Sequence, residues 1–112
     1  MAADARAYLK HMRTAAAAIL DMTAAATLAE YQSSMLLRSA VERQFITLGE
    51  ALAQLDRVAP DTAAAFTEKA RIIAFRNVLV HGYSAVRDES VFEVATERLP
   101  ALLDQIEALL GD

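Results

Sequence analysis

From one end of this chain to the other, apolar residues recur three and four positions apart, and no segment alternates apolar with polar as a half-buried strand does. That pattern confines the fold to packed helices. Alanine fills about a fifth of the sequence and is the residue that resists helix least. Only 3 Gly and 2 Pro interrupt 112 residues, so breaks must be few. The alanine runs at 15–18, 24–26 and 63–65 imply helices in close approach rather than low-complexity disorder. The length suits one domain, 1–112, with a single core.

The periodicity predicts four helices. The first runs from about Asp4 to Leu28, with Asp4 as N-cap and Leu9, Met12, Ala16, Ile19 and Met22 on one stripe. The second runs from about Glu30 to Val58 on Leu37, Val41, Phe45, Leu48, Leu52 and Leu55. Ala59-Pro60-Asp61 ends it, because a proline disfavours a helical residue before it. Asp61 or Thr62 caps a third helix from about Ala63 to Val80, and Gly82 takes the left-handed position beyond it. A loop, Ser84 to Arg87, leads to a fourth helix, Glu89 to Leu110, with Asp88 as N-cap. Its buried face is Val91, Val94 or Ala95, Leu99, Leu102, Ile106 and Leu109. Pro100 lacks an N–H and should kink or split this helix, and Gly111 should stop it. Short connections make the whole an antiparallel four- to five-helix bundle.

Composition narrows the function. The net charge of -4 argues against a general nucleic-acid coat, since phosphate neutralisation dominates that affinity, but it permits a small cleft lined by a few arginines. With no Cys there is no disulfide, thiolate metal site or cysteine nucleophile, and a reducing cytoplasm is the expected compartment. The first residues lack the apolar core of a secretion signal, and Ala15 to Ala29, interrupted by Asp21, is too weakly apolar to span a bilayer. A mean hydropathy of +0.24 is high for a small monomer, so part of the apolar surface is expected against another subunit.

There are 2 histidines. His11, among Arg6, Lys10 and Arg13, reads as a solvated residue of the first helix. His81 lies in Arg76-Asn77-Val78-Leu79-Val80-His81-Gly82-Tyr83. Asn77 and His81 are one turn apart on one face, so the Asn77 amide can hold the imidazole in one tautomer. Arg76 lies about 140° around the helix, but its long side chain can reach the same cleft. A histidine at a helix C-terminus suits general acid–base work, an arginine fork suits a phosphate, and a tyrosine offers a hydroxyl and a stacking face. Together they fit RNA cleavage without a metal or other cofactor. A plainer alternative stands beside this: His81 caps the helix, Arg76 is a solvated charge, and Tyr83 packs over the end.

Arg-Asn-x-Leu-Val-His-Gly-Tyr at the end of the third helix resembles the Arg-x4-His-x-Tyr signature of HepT-like proteins of the HEPN superfamily. Ser39 to Leu52, with Gly49-Glu50-Ala51, is similar to the family's second-helix block, and Val91-Phe92 and Leu99-Pro100 match its last helix. The likeness spans about residues 4 to 110. It implies a homodimeric bundle whose two signatures face each other across a cleft, so that two copies of Arg76 make a positive site in an acidic protein. It implies an endoribonuclease toxin of a HepT/MntA-like (type VII) toxin–antitoxin pair. The partner would be an MNT-type nucleotidyltransferase antitoxin. Carried over, Arg76 and His81 are catalytic, Asn77 is the polar residue within the signature, and Tyr83 receives AMP. A bulky anionic nucleotide there would block the cleft and compete for Arg76. The alternative is a non-catalytic subunit that holds nucleotide or substrate for a separate nucleotidyltransferase.

Glu50 and Arg43 are seven apart, on one stripe of the second helix. Either they border the cleft and position Arg76 or Tyr83, or they are an ordinary surface pair. Gly49 in mid-helix costs about 1 kcal/mol against alanine, so another helix, the dimer mate's among the candidates, should approach closely there. Arg38 with Glu42, and Glu68 with Lys69 and Arg71, read as solvated charges.

Overall fold

The computed structural model describes residues 1–111, with the backbone alone for Tyr83. Its helices are α1 (Ala3–Thr23), α2 (Leu28–Ser33), α3 (Met35–Val58), α4 (Pro60–Ala63), α5 (Lys69–His81), α6 (Asp88–Glu93) and α7 (Leu99–Leu110). A 3-10 turn covers Tyr83–Ala85, and a π-helical segment, Val94–Arg98, joins α6 to α7. Among the described residues there is no strand. The long helices α1, α3, α5 and α7 answer to the four expected, and the short ones arise where local chemistry cuts the longer runs.

The first cut lies at residues 24–27. The expected continuation to Leu28 fails because Thr27 and Glu30 form a capping box: Thr27 Oγ1 accepts from the Glu30 N–H at 3.1 Å, and Glu30 Oε1 accepts from the Thr27 N–H at 2.9 Å. Two otherwise orphaned donors are satisfied, and a new helix starts. Ser34 then caps α3 by accepting from the Leu37 N–H at 3.1 Å, so the expected second helix is split at Ser34. The short α2 turns Tyr31 wholly inward, its ring 5.4 Å from that of Phe92. Among the described residues the Tyr31 hydroxyl finds no partner there. Burial, then the Glu42 and Asp88 carboxylates, push its pKa well above the usual phenol range, against the pull of Arg38.

The expected third helix is also shorter. Pro60 opens a single turn, α4, where its missing N–H is harmless, and α5 begins only at Lys69. Between them Phe66 turns into the core, 2% exposed, so neither Asp61 nor Thr62 caps the long helix. Gly82 has φ -122°, not the left-handed value expected. The Gly82 N–H bonds the Val78 carbonyl at 2.8 Å, and the chain passes into the 3-10 turn, which occupies the start of the expected loop. Asp4 and Asp88 lie inside the first turns of α1 and α6 rather than at the caps, where they still favour the positive helix ends. Pro100 splits the last helix as expected: the widened π turn precedes it and α7 starts beside it. Gly111 adopts φ +70°, the expected stop.

The buried side chains form one cluster. Leu9, Met12, Ile19, Val41, Phe45, Leu48, Leu52, Leu55, Val91, Leu99, Leu102 and Ile106 face inward as the periodicity requires, while Leu110 replaces the expected Leu109. α3 packs between α1 and α5, and α7 packs on α1. Lys69 Nζ to Asp56 Oδ1 (3.0 Å) and Arg76 Nη2 to Glu50 Oε1 (3.3 Å) set α5 antiparallel to α3. Arg6 Nη1 donates to the Leu110 carbonyl at 2.9 Å, setting α7 antiparallel to α1. The bundle is left open between α5 and the α6–α7 arm by an apolar groove of about 360 Å³, walled by Phe45, Ile72, Phe75, Val78, Val94 and Leu102. α5 is thus held from one side: Ile72 and Leu79 are its buried residues, while Val78 and Val80 are exposed.

Candidate active site

The placement of Arg76 begins at Gly49. A Cβ built on Gly49 would lie 2.4 Å from Arg76 Cβ, 2.8 Å from its Cγ and 3.4 Å from the Ile72 carbonyl oxygen. The close approach foreseen for this glycine is therefore made by the chain's own α5, which seats the stem of Arg76 directly on α3. From there Arg76 Nη1 donates to Asn77 Oδ1 at 2.8 Å, and Nη2 donates to Glu50 Oε1 at 3.3 Å. Among the described residues its buried Nε has no acceptor. Each terminal nitrogen carries a second N–H, so the head is held while donors remain for an anion. The Arg76 and Glu50 side chains are 28% and 51% exposed, so their ion pair adds little stability and chiefly sets direction.

His81 is the last residue of α5 and is exposed. It shares a helix face with Asn77, one turn before it. The Asn77 oxygen is engaged by Arg76, so the expected Asn77–imidazole bond is replaced by one that draws the guanidinium toward the Asn77–His81 face. Neither Arg76 nor His81 is sealed from solvent. Glu50 reaches Arg76 as one of the two readings required. Arg43, on the same stripe, is exposed, and among the described residues its guanidinium makes no ion pair. The Tyr83 side chain lies outside the described residues; its backbone opens the turn that follows α5.

Arg76 stands on a second groove of about 520 Å³, of mixed polar and apolar lining, between α1 and α5 and floored by α3. Thr47, Glu50, Ala51 and Gln54 line it from α3, and Tyr8 and His11 line it from α1. His11 is exposed, as the sequence suggested, yet it stands in the same groove as Arg76. Its place there comes from the packing of α1 on α3. The only local signal was the three-residue spacing of two aromatic rings, Tyr8 and His11.

The remaining charges tie elements together more than the sequence implied. Glu68 meets Arg98 at 3.0 Å and Arg71 at 3.6 Å at the rim of the apolar groove. Arg38 approaches Asp88 at 3.9 Å and also donates to the Gln32 carbonyl. Beside them burial, then the Asp88 carboxylate, raise the Glu42 pKa, and Arg38 lowers it. Among the described residues no group of three or more His, Asp or Glu gathers where it could hold a metal ion. No helix among them is long and apolar enough to cross a membrane.

Arg76, Asn77 and His81 in the last turns of α5, with Arg76 seated on the Gly49–Glu50 step of α3, place the resembling motifs in one region. A family model described as Ribonuclease HepT-like matches residues 12–109. The chain belongs to the HepT-like ribonuclease family. Searches of the curated proteins and of the solved structures find no match. The HepT-like match takes in α3, all of α5 and nearly all of α7, but begins just after His11. Membership makes the fold an all-helical HEPN-type bundle and the activity class that of a ribonuclease. The site holds a tethered guanidinium and an exposed imidazole.

Proposed function

We propose that this chain is a metal-independent endoribonuclease toxin that acts as a homodimer. Arg76 and His81 from both protomers line one cleft. Arg76 receives the scissile phosphate and stabilises the charge that develops on it. An imidazole of His81 takes the proton from the ribose 2′-hydroxyl. The 2′-oxygen attacks phosphorus, the bond to the 5′-oxygen breaks, and the second copy of His81 returns a proton to that oxygen. The products are a 2′,3′-cyclic phosphate and a 5′-hydroxyl. Asn77 and Glu50 are positioning residues, because each holds one nitrogen of the Arg76 head. An MNT-type nucleotidyltransferase antitoxin silences the toxin by transferring AMP to the Tyr83 hydroxyl, and the pair works in the cytoplasm.

The observation that carries this reading is the tethered, solvent-reaching Arg76 on the helix that ends in exposed His81, within a HepT-like chain. The sparsely buried α5, with Val78 and Val80 exposed beside an open apolar groove, supports a second copy packing near the signature. The test is cleavage of single-stranded RNA by purified protein in excess chelator, with the product ends identified. Arg76→Ala and His81→Ala should abolish cutting while the fold and dimer persist. Parental cutting by both variants would refute the assignment. A chain inert on RNA that binds ATP or the transferase would instead favour the binding-subunit alternative. The mass of the chain co-expressed with its transferase should rise by adenylyl units, and Tyr83→Phe should remove the gain.

A further inference from the structure

The groove beside Arg76 has a second wall that the cleavage chemistry leaves unused. Tyr8 and His11 stand one turn apart on α1, their rings edge to face with centroids 6.2 Å apart. Tyr8 is half-buried and packs against the core, so it is a fixed platform, and exposed His11 is braced against it. Opposite stands Arg76, and between them the α3 floor is kept low by Ala51 and Ala53. Thr47 and Gln54 add polar edges: Gln54 Oε1 accepts from Arg57, leaving its amide N–H groups free, and the Thr47 oxygen keeps acceptor capacity while its proton goes to the Arg43 carbonyl.

The lining selects the occupant beside Arg76. A flat, neutral, hydrogen-bonding ring meets an aromatic face flanked by a second ring set edge to face with it, a small-residue floor and an amide edge. Stacking on aromatic side chains with edge contacts is how single-stranded RNA bases are held. We infer that Tyr8 and His11 form a nucleobase subsite, which stacks a base of the RNA strand flanking the phosphate bound at Arg76. The inference rests on the ribonuclease reading and adds to it a strand-holding wall. Both residues precede the segment matched by the family model.

The experiment compares the parent, His11→Ala, Tyr8→Leu and Tyr8→Phe on a short single-stranded RNA. The RNA is used intact and with an abasic nucleotide placed at each position in turn. Leucine keeps the apolar packing of Tyr8 and removes its π face, while phenylalanine keeps both. His11→Ala and Tyr8→Leu should raise KM about tenfold with kcat nearly unchanged, the order expected for one stacked base. Tyr8→Phe should match the parent. One abasic position should raise the parent's KM by a similar factor and leave that of His11→Ala unmoved, a coupling that a merely structural role would not produce. Unchanged KM in both variants, or abasic and protein losses that simply multiply, overturns the inference. So does AMP binding that is lost in His11→Ala while the RNA KM stays parental, since the groove would then serve a free nucleotide. Anisotropy with the same labelled RNA is measured in parallel. If the parent binds but does not cut, the activity reading fails while the same coupling still decides the subsite.

Discussion

Replacing Gly49 by alanine tests the seat on which the candidate active site depends. Alanine is the better helix former by about 1 kcal/mol, so an unencumbered helix would be strengthened. Here the new methyl would sit 2.4 Å from Arg76 Cβ. Carbon atoms rest about 3.5–4.0 Å apart, so the contact falls short by more than 1 Å. The obstructing atom is a Cβ fixed to the backbone of α5 rather than the end of a flexible side chain, and the Ile72 carbonyl stands behind it at 3.4 Å. Only a shift of α5 away from α3 relieves the clash. Overpacking of this kind costs about 1–3 kcal/mol, and a shortfall this large belongs in the upper half of that range. Net of propensity, Gly49→Ala should destabilise by about 1–2 kcal/mol, a fall of roughly 4–8 °C in Tm for a domain of this size. Because the same shift carries Arg76 off Glu50, RNA cleavage should fall further than stability explains. Gly82 supplies the control: its nearest neighbour would be 3.5 Å away, an ordinary contact at an ordinary φ, so Gly82→Ala should stay within about 1 kcal/mol of the parent. Circular dichroism melts read both. A Tm for Gly49→Ala at or above the parent's would refute the close seating of α5 and the placement of Arg76 derived from it.

Glu50→Gln removes the charge that directs the Arg76 head; Tm should move by less than about 1 kcal/mol equivalent, since the pair is exposed, while kcat for RNA cleavage should fall as much as a hundredfold. A parental kcat would show that Glu50 is not a positioning residue. Glu42 holds its proton more tightly in the fold than in the unfolded chain, because burial and then Asp88 raise its pKa. Its stabilising contribution is thus complete below the ordinary carboxylate range and is lost as pH rises through the folded value. Glu42→Gln should accordingly melt higher than the parent at neutral pH, with the advantage fading on acidification into that range; a pH-independent difference in Tm would contradict this. Thr27→Ala removes the capping box of α2 and should cost about 1 kcal/mol in chemical denaturation while RNA cleavage per folded molecule is unchanged.

The helical class, the core stripes of α1 and α3 and most of that of α7, the break at Pro100 and the stop at Gly111 were all legible in the chain, because periodicity and missing or permissive backbone groups act locally. So was the signature on α5, since Arg76, Asn77 and His81 are near neighbours in sequence. The capping box at Thr27 and Glu30 was equally local, and it overrode a run of helix-favouring alanines that masked it. Other features were beyond local reading. That Asn77 answers Arg76 rather than His81 depends on where a long side chain turns after it leaves a helix interface. That Gly49 meets its own α5, and that His11 shares a groove with Arg76, depend on the register of α5 and α1 against α3. Residues far apart in sequence become neighbours only when helices pack. The chain by itself determined which faces are apolar and which residue types carry chemistry. Tertiary structure decided which helices meet, at what height, and therefore which side chains share a groove, since register is set by the interlocking of whole faces and by close approaches that no short segment contains.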